Sequence, residues 1–180
     1  MEFHFRQATE TDKEEIVRLY IDCIRHLNDQ KIYQWDEIYP NEEVLSGDIM
    51  KGEMHVMTEG NRVLACVVLN EFQDETYQTV QWKYAEGRIA VIHRLCVNYK
   101  YQGMGIGRRM MQNAEALLKD SGYSAIRLDV FPDNSHSIRL YEKLGYLYAG
   151  DVHFRKGRFF VMEKSCETDD NTELTDGGRP

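Results

Sequence analysis

At 180 residues, with 22 Lys+Arg against 30 Asp+Glu and a formal charge of −8, the chain has the length of one domain. Hydrophobic residues make up 42% and aromatics 11%, enough for a packed core, and no apolar run approaches the roughly 18 residues of a membrane helix. An acidic balance without a Lys/Arg-rich stretch argues against nucleic acid, whose phosphates demand cations, and the scattered Cys23, Cys66, Cys96 and Cys166 argue against zinc or a disulfide framework.

The opening residues lack the basic and apolar regions of a secretory signal, so a cytoplasmic location is expected. A strand is predicted over 3–7, then a capping box between Thr11 and Glu14. Ile16, Leu19, Tyr20, Cys23 and Leu27 recur at helical spacing and predict a helix over 12–27. Residues 28–40 are aromatic but aperiodic and read as a loop or short helix; Asn41 then caps a helix reaching Met50. Gly60-Asn61 predicts a hairpin between strands 53–59 and 62–70. A polar connection over 71–88, with a ragged strand at 77–82, leads to the apolar strand 88–97. A glycine loop, a helix over 106–119, a strand over 125–131 and a helix over 135–144 follow. The final hairpin, 146–154 and 158–164, turns at Lys156-Gly157.

The domain is therefore expected to span 1–165, followed at 166–180 by an acidic, disordered tail. From Glu167 onward that tail carries five acids against Arg179, or −4 of the net −8, so the domain itself is only mildly acidic.

Gln102-Gly103-Met104-Gly105-Ile106-Gly107, between a strand and a helix, is the most informative stretch. Such glycines let the chain turn tightly and gather N–H groups at a helix N-terminus, where the helix dipole favours an anion. Gln102 adds a donor, and Arg108 or Arg109 a cation. A Walker phosphate loop is excluded, since no Gly-Lys-Ser/Thr follows, and a dinucleotide fingerprint fits poorly because Arg108 stands at its third glycine. Asp129, at a later strand end, offers that alternative its one support. By spacing alone the loop means a phosphate of unspecified kind, or merely a helix start.

Asn134 and Tyr141 lie seven residues apart, two turns along one helix face. Taken singly, one is a helix cap and the other a core tyrosine. Together with the glycine loop, however, Asn134, Leu140, Tyr141, Gly145 and Tyr146 complete a pattern that resembles the GNAT superfamily of N-acetyltransferases. The element order over 1–164 is similar as well. The resemblance implies a mixed α/β (α+β) fold, with a mostly antiparallel twisted sheet of 6–7 strands, about four helices and a splayed parallel strand pair at the cofactor site.

It also implies transfer of an acetyl group from acetyl-CoA to a primary amine, on a small molecule or a peptide, by direct attack in a ternary complex. The cofactor would be held by Leu95, Cys96, Val97, Gln102, Gly103, Met104, Gly105, Ile106, Gly107, Arg108, Asn134 and Ser137, with the strand leaving its neighbour after Val97. Attack on a thioester makes an oxyanion, which a backbone N–H at Val97 can meet, and then expels a thiolate, which the catalytic Tyr141 can protonate. The ordinary pKa values of thiol and phenol differ by only about 1.5 units. No metal is required. The alternative is a non-catalytic sensor of acyl-CoA or a nucleotide.

Two departures from the family pattern stand out. Ser137 replaces the usual Ala, and Arg94 stands where many relatives carry the Glu that deprotonates the amine, a role closed to guanidinium. Alternation along a strand predicts that His93 and Arg94 do not both face the cleft. The base stays open among Asp36, Glu37, His93, His153 and a water relay. Tyr33, Trp35, Tyr39, Asp151, Phe154 and Phe159 complete an acceptor side suited to a cationic amine, although Trp35 and Tyr39 serve equally as a core plug or a homodimer surface.

Overall fold

The computed structural model describes residues 2–167, so the expected tail beyond Glu167 lies outside the described residues. The seven strands are β1 (His4–Gln7), β2 (Met54–Glu59), β3 (Arg62–Asn70), β4 (Ile89–Val97), β5 (Ala125–Val130), β6 (Leu147–Phe154) and β7 (Gly157–Ser165). They form one sheet in the order β1-β2-β3-β4-β5-β7-β6, with only β4 and β5 parallel. The helices are α1 (Lys13–Asp29), α2 (Glu42–Met50), α3 (Ile106–Asp120) and α4 (Ser135–Lys143). The expected mixed α/β architecture is thus what forms.

Alternation along the strands divides the core between the two faces of the sheet. On one face Leu64, Val67, Ile92, Ile126 and Leu128 pack beneath α3 and α4, meeting Ile106, Met110, Ala114 and Tyr141. On the other, Val56, Val68 and Cys96 pack against Ile16, Tyr20 and Cys23 of α1 and Leu45 of α2. A third cluster, Tyr77, Val91, Val152, Phe159 and Val161, lies where the 71–88 segment crosses the sheet. That segment contains a 3-10 helix, Glu75–Thr79, and not the expected ragged strand. Asp74 caps it by accepting from Thr76 N–H at 2.9 Å, and this local bond displaces strand pairing.

Two further expectations shift by a few residues. The entry to α1 is held by Asp12, which accepts from Thr9 N–H at 2.8 Å and from both terminal nitrogens of Arg6 at 2.8 Å, instead of by Thr11 and Glu14. The Arg6 guanidinium lowers the Asp12 carboxyl to about 2. The last hairpin turns at Arg155-Lys156, because Gly157 already pairs with Phe154.

The irregularity that matters most lies in β4. Cys66 pairs with Cys96 and Val68 with His93, so one residue of β3 faces two of β4, Arg94 and Leu95. Arg94 absorbs the extra residue at φ 53°. Pairing of β4 with β5 ends at Ile92↔Leu128. The strands therefore part after Ile92, five residues earlier than the expected point after Val97, because the bulge turns β4 away from its parallel neighbour.

Candidate active site

Past the bulge, Asn98 N–H donates to Leu64 C=O at 2.9 Å. Antiparallel pairing alternates, so Cys96 N–H also faces β3 while Val97 N–H points away from it, into the gap left by β5. Cys23 on α1 donates its thiol to Val97 C=O at 3.2 Å and fixes the strand there.

A cavity of about 440 Å³ opens on this gap. Leu95, Cys96, Val97, Gln102, Gly103, Gly105, Ile106, Gly107, Asn134 and Ser137 line it, ten of the twelve residues expected to hold the cofactor. Met104 and Arg108 stand exposed at the surface of the loop. Gly103 and Gly105 adopt φ 80° and 77°, where a side chain would be strained, and Gly105 is the N-cap of α3. The first hydrogen bond of that helix runs from Arg109 N–H to Gly105 C=O, which leaves the N–H groups of Ile106, Gly107 and Arg108 for an anion. Arg109 lies over the Phe3 ring at 5.3 Å.

Asn134 works in two directions. Its Oδ1 caps α4 by accepting from Ser137 N–H at 3.1 Å, and its Nδ2 donates to Gln34 Oε1 at 2.8 Å. The cap reading is what forms, and the amide nitrogen, on the wall of the cavity, is bonded to Gln34. Gln34 was invisible in the aperiodic 28–40 stretch; nothing in its local sequence sets it apart.

On the other side of the bulge lies a second cavity, about 690 Å³, lined by aromatics including Trp35, Tyr39, Phe72, Tyr77 and Phe159. Gln34, Trp35, Leu95, Asn134 and Ser137 line both cavities, so the two spaces meet at the point where β4 and β5 part. Trp35 also packs against Tyr20 with centroids 5.6 Å apart, so it is both a core plug and a cavity wall. Tyr141 is buried on α4 and lines the larger cavity. Burial, with the charge of Asp129, pushes its phenol far above the usual range. The near match with a thiol is therefore lost in the fold: the phenol is held protonated, and it can pass its proton to sulfur only as it recovers one from the amine nitrogen.

The bulge brings Ile92, His93, Arg94 and Leu95 all to the larger cavity, so the expected alternation of His93 and Arg94 fails. Arg94 is not free for a ligand. It forms a two-pronged ion pair with Asp48 of α2 at 2.6 and 3.0 Å and donates to the Tyr39 hydroxyl, while its C=O accepts from Tyr20 at 2.5 Å. Burial pushes the Asp48 carboxyl up, and the Arg94 guanidinium, which does not surrender its proton, pulls it back down.

Four candidate bases separate by geometry. Asp36 bonds Arg155 at 2.8 Å and Lys156 at 3.2 Å, which holds its carboxyl far below the usual range and makes it a poor proton acceptor. Glu37 is exposed, outside the lining of either cavity. His153 is exposed at the rim of the larger one. His93 bonds Asn70 Oδ1 through Nε2 at 2.9 Å, and burial beside Arg94 lowers it to about 4, so it is neutral at pH 7. The larger cavity also holds Asp129, whose Oδ2 accepts from Tyr77 OH at 2.8 Å and whose carboxyl burial raises to about 6.

The "Acetyltransferase (GNAT) family" model matches residues 14–146. An uncharacterized N-acetyltransferase of Bacillus subtilis strain 168, YesJ, is 27% identical over 150 residues, covering 82% of this chain and 83% of that one. A spermine/spermidine N(1)-acetyltransferase of the same organism is 32% identical over 76 residues, 40% of this chain and 48% of its own. Among solved structures, a GNAT-family acetyltransferase from Streptococcus agalactiae superposes with a TM-score of 0.81 at 21% identity, covering 92% of this chain and 96% of that one. The PaiA N-acetyltransferase from Thermoplasma acidophilum, in complex with coenzyme A, superposes with a TM-score of 0.70 at 18% identity, over 92% and 99% of the two chains. With its bulged β4, its glycine-bounded helix and a family match over residues 14–146, this chain belongs to the GNAT family and is an acetyltransferase.

Proposed function

We propose that the enzyme transfers the acetyl group of acetyl-CoA to a primary amine by direct attack in a ternary complex. The observation that carries this reading is the meeting of two cavities at the unpaired end of β4, one beside the N–H groups of the glycine loop and the other walled by aromatics. The pyrophosphate would lie against Gly103 to Gly107, and the pantetheine arm along Leu95 to Val97, with Asn134 and Ser137 opposite. Val97 N–H would meet the oxyanion and the Tyr141 phenol would protonate the departing thiolate. The amine would enter from the larger cavity, where aromatic faces suit a cation. The partial likeness to a spermine/spermidine acetyltransferase makes polyamines the first acceptors to try. The test follows free CoA release over a panel of polyamines, arylalkylamines and peptide amines, alongside thermal shift with CoA. Amine-dependent release with a CoA-dependent shift is expected; a protein that shows neither is not this enzyme.

A further inference from the structure

From the geometry of the notch between β4 and β5, we infer that Asp129 is the carboxylate that receives the acceptor's ammonium and takes its proton. This rests on the acetyl-transfer reading above.

Asp129 is the first residue of β5 beyond the last pair with β4, Ile92↔Leu128, and its other neighbour in the sheet is Val161 of β7. It therefore stands at the point of the gap, on the wall of the acceptor cavity and close enough to Tyr141 for its charge to act on that phenol. Its one side-chain partner among the described residues is the Tyr77 hydroxyl. No ion pair reaches it among the described residues, unlike Asp36 and Asp48, which arginine and lysine neutralise. The titratable groups that share its cavity are Tyr77 and Asp74 of the 3-10 segment, Arg94 and His93 of β4, Tyr39 of the 30–40 loop, Tyr141 of α4, and His153, Arg155 and Lys156 of the β6–β7 hairpin, the last two paired with Asp36. Burial and Asp74 raise its proton affinity, while Tyr77 and Arg94 lower it. The balance, at about 6, leaves it ionised at pH 7 yet a stronger proton acceptor than His93 at about 4.

The proton accounting closes. An ammonium in the cavity gives one proton to the Asp129 carboxylate, and the neutral nitrogen forms the C–N bond to the thioester carbon. As the C–S bond breaks, the sulfur takes the Tyr141 phenolic proton, and the phenolate recovers one from the new C–N nitrogen. The proton on Asp129 passes to water with the products. Free CoA, an amide and one proton result.

The test compares wild type, Asp129→Asn and Tyr77→Phe from pH 5 to 9, with turnover read by CoA release and cofactor affinity by thermal shift. Asp129→Asn is expected to lower turnover about 100-fold or more at unchanged CoA affinity. Tyr77→Phe removes the hydrogen bond that lowers the carboxyl, so the acidic limb of its pH profile moves upward, which a merely structural tyrosine would not cause. If Asp129→Asn keeps wild-type turnover, or the limb stays in place in Tyr77→Phe, the inference is overturned while the acetyl-transfer reading stands. If wild type shows neither a CoA-dependent shift nor turnover, that reading fails and takes the inference with it.

Discussion

The Arg94–Asp48 pair gives the sharpest test of how the bulge is held. Arg94→Met keeps an unbranched side chain and the left-handed backbone at φ 53°, but removes the guanidinium. The two side chains are 11% and 7% exposed, so Asp48 is left as a buried charge without a counter-ion, while Tyr39 loses its donor. Breaking one side of such a pair costs about 3–5 kcal/mol. With a urea slope of about 2 kcal/mol/M for a domain this size, the midpoint should fall by roughly 1.5–2.5 M. Trp35 and Trp82 supply the fluorescence for the titration. The deficit should shrink at low pH: without Arg94 the buried Asp48 carboxyl binds protons more tightly folded than unfolded, so its penalty grows as pH rises and fades as the carboxyl is neutralised. Replacing both partners, Arg94→Met with Asp48→Leu, should recover about 2 kcal/mol or more, since no charge remains to be buried. A single-variant loss below about 1 kcal/mol, or a double variant as unstable as the sum of its parts, would refute the assignment of Arg94 to the scaffold.

Three further outcomes are expected. Gly105→Ala puts a side chain at φ 77° and should cost about 1 kcal/mol and weaken CoA binding roughly tenfold, whereas Gly122→Ala, at φ 81° away from the loop, should cost as much stability and leave CoA affinity alone; calorimetry distinguishes them. Asp129 has a folded pKa of about 6 against an ordinary 3.8, so the native state binds its proton more tightly and stability falls as pH rises through that window. Asp129→Asn should therefore be more stable than wild type at pH 7.5, by at most about 3 kcal/mol, with the gain gone near pH 4, as thermal melts at the two pH values would show. Tyr141→Phe should keep the CoA-dependent thermal shift and lose about 100-fold or more in turnover, and undiminished turnover at any pH would remove Tyr141 as the acid.

The element order was legible because helical and strand periodicities here are strong and glycines mark their ends. Both motifs were legible too, since the spacing Gln102 to Gly107 and Asn134 to Tyr146 is local. What escaped is set by pairing between distant segments. The bulge exists only in the register of β3 against β4, so nothing in residues 93–96 alone announces that His93 and Arg94 share a cavity. Asp36 looked like a base until Arg155 and Lys156, well over a hundred residues away, came to it. Asp129 gained its proton affinity from burial and from Asp74, while its carboxylate accepts a hydrogen bond from Tyr77, 52 residues earlier. In the sequence Asp129 stands two residues after Arg127 on one face of the strand and reads as half of an ordinary surface pair, so nothing local marks it as a base.

The central claim is direct transfer between two ligands held at once in joined cavities. Initial rates measured while acetyl-CoA and an accepted amine are varied against each other test it most directly. Intersecting double-reciprocal lines are predicted, with no acetyl group retained on the protein when the amine is withheld. Parallel lines, together with an acetylated protein that passes its acetyl group to amine, would contradict it.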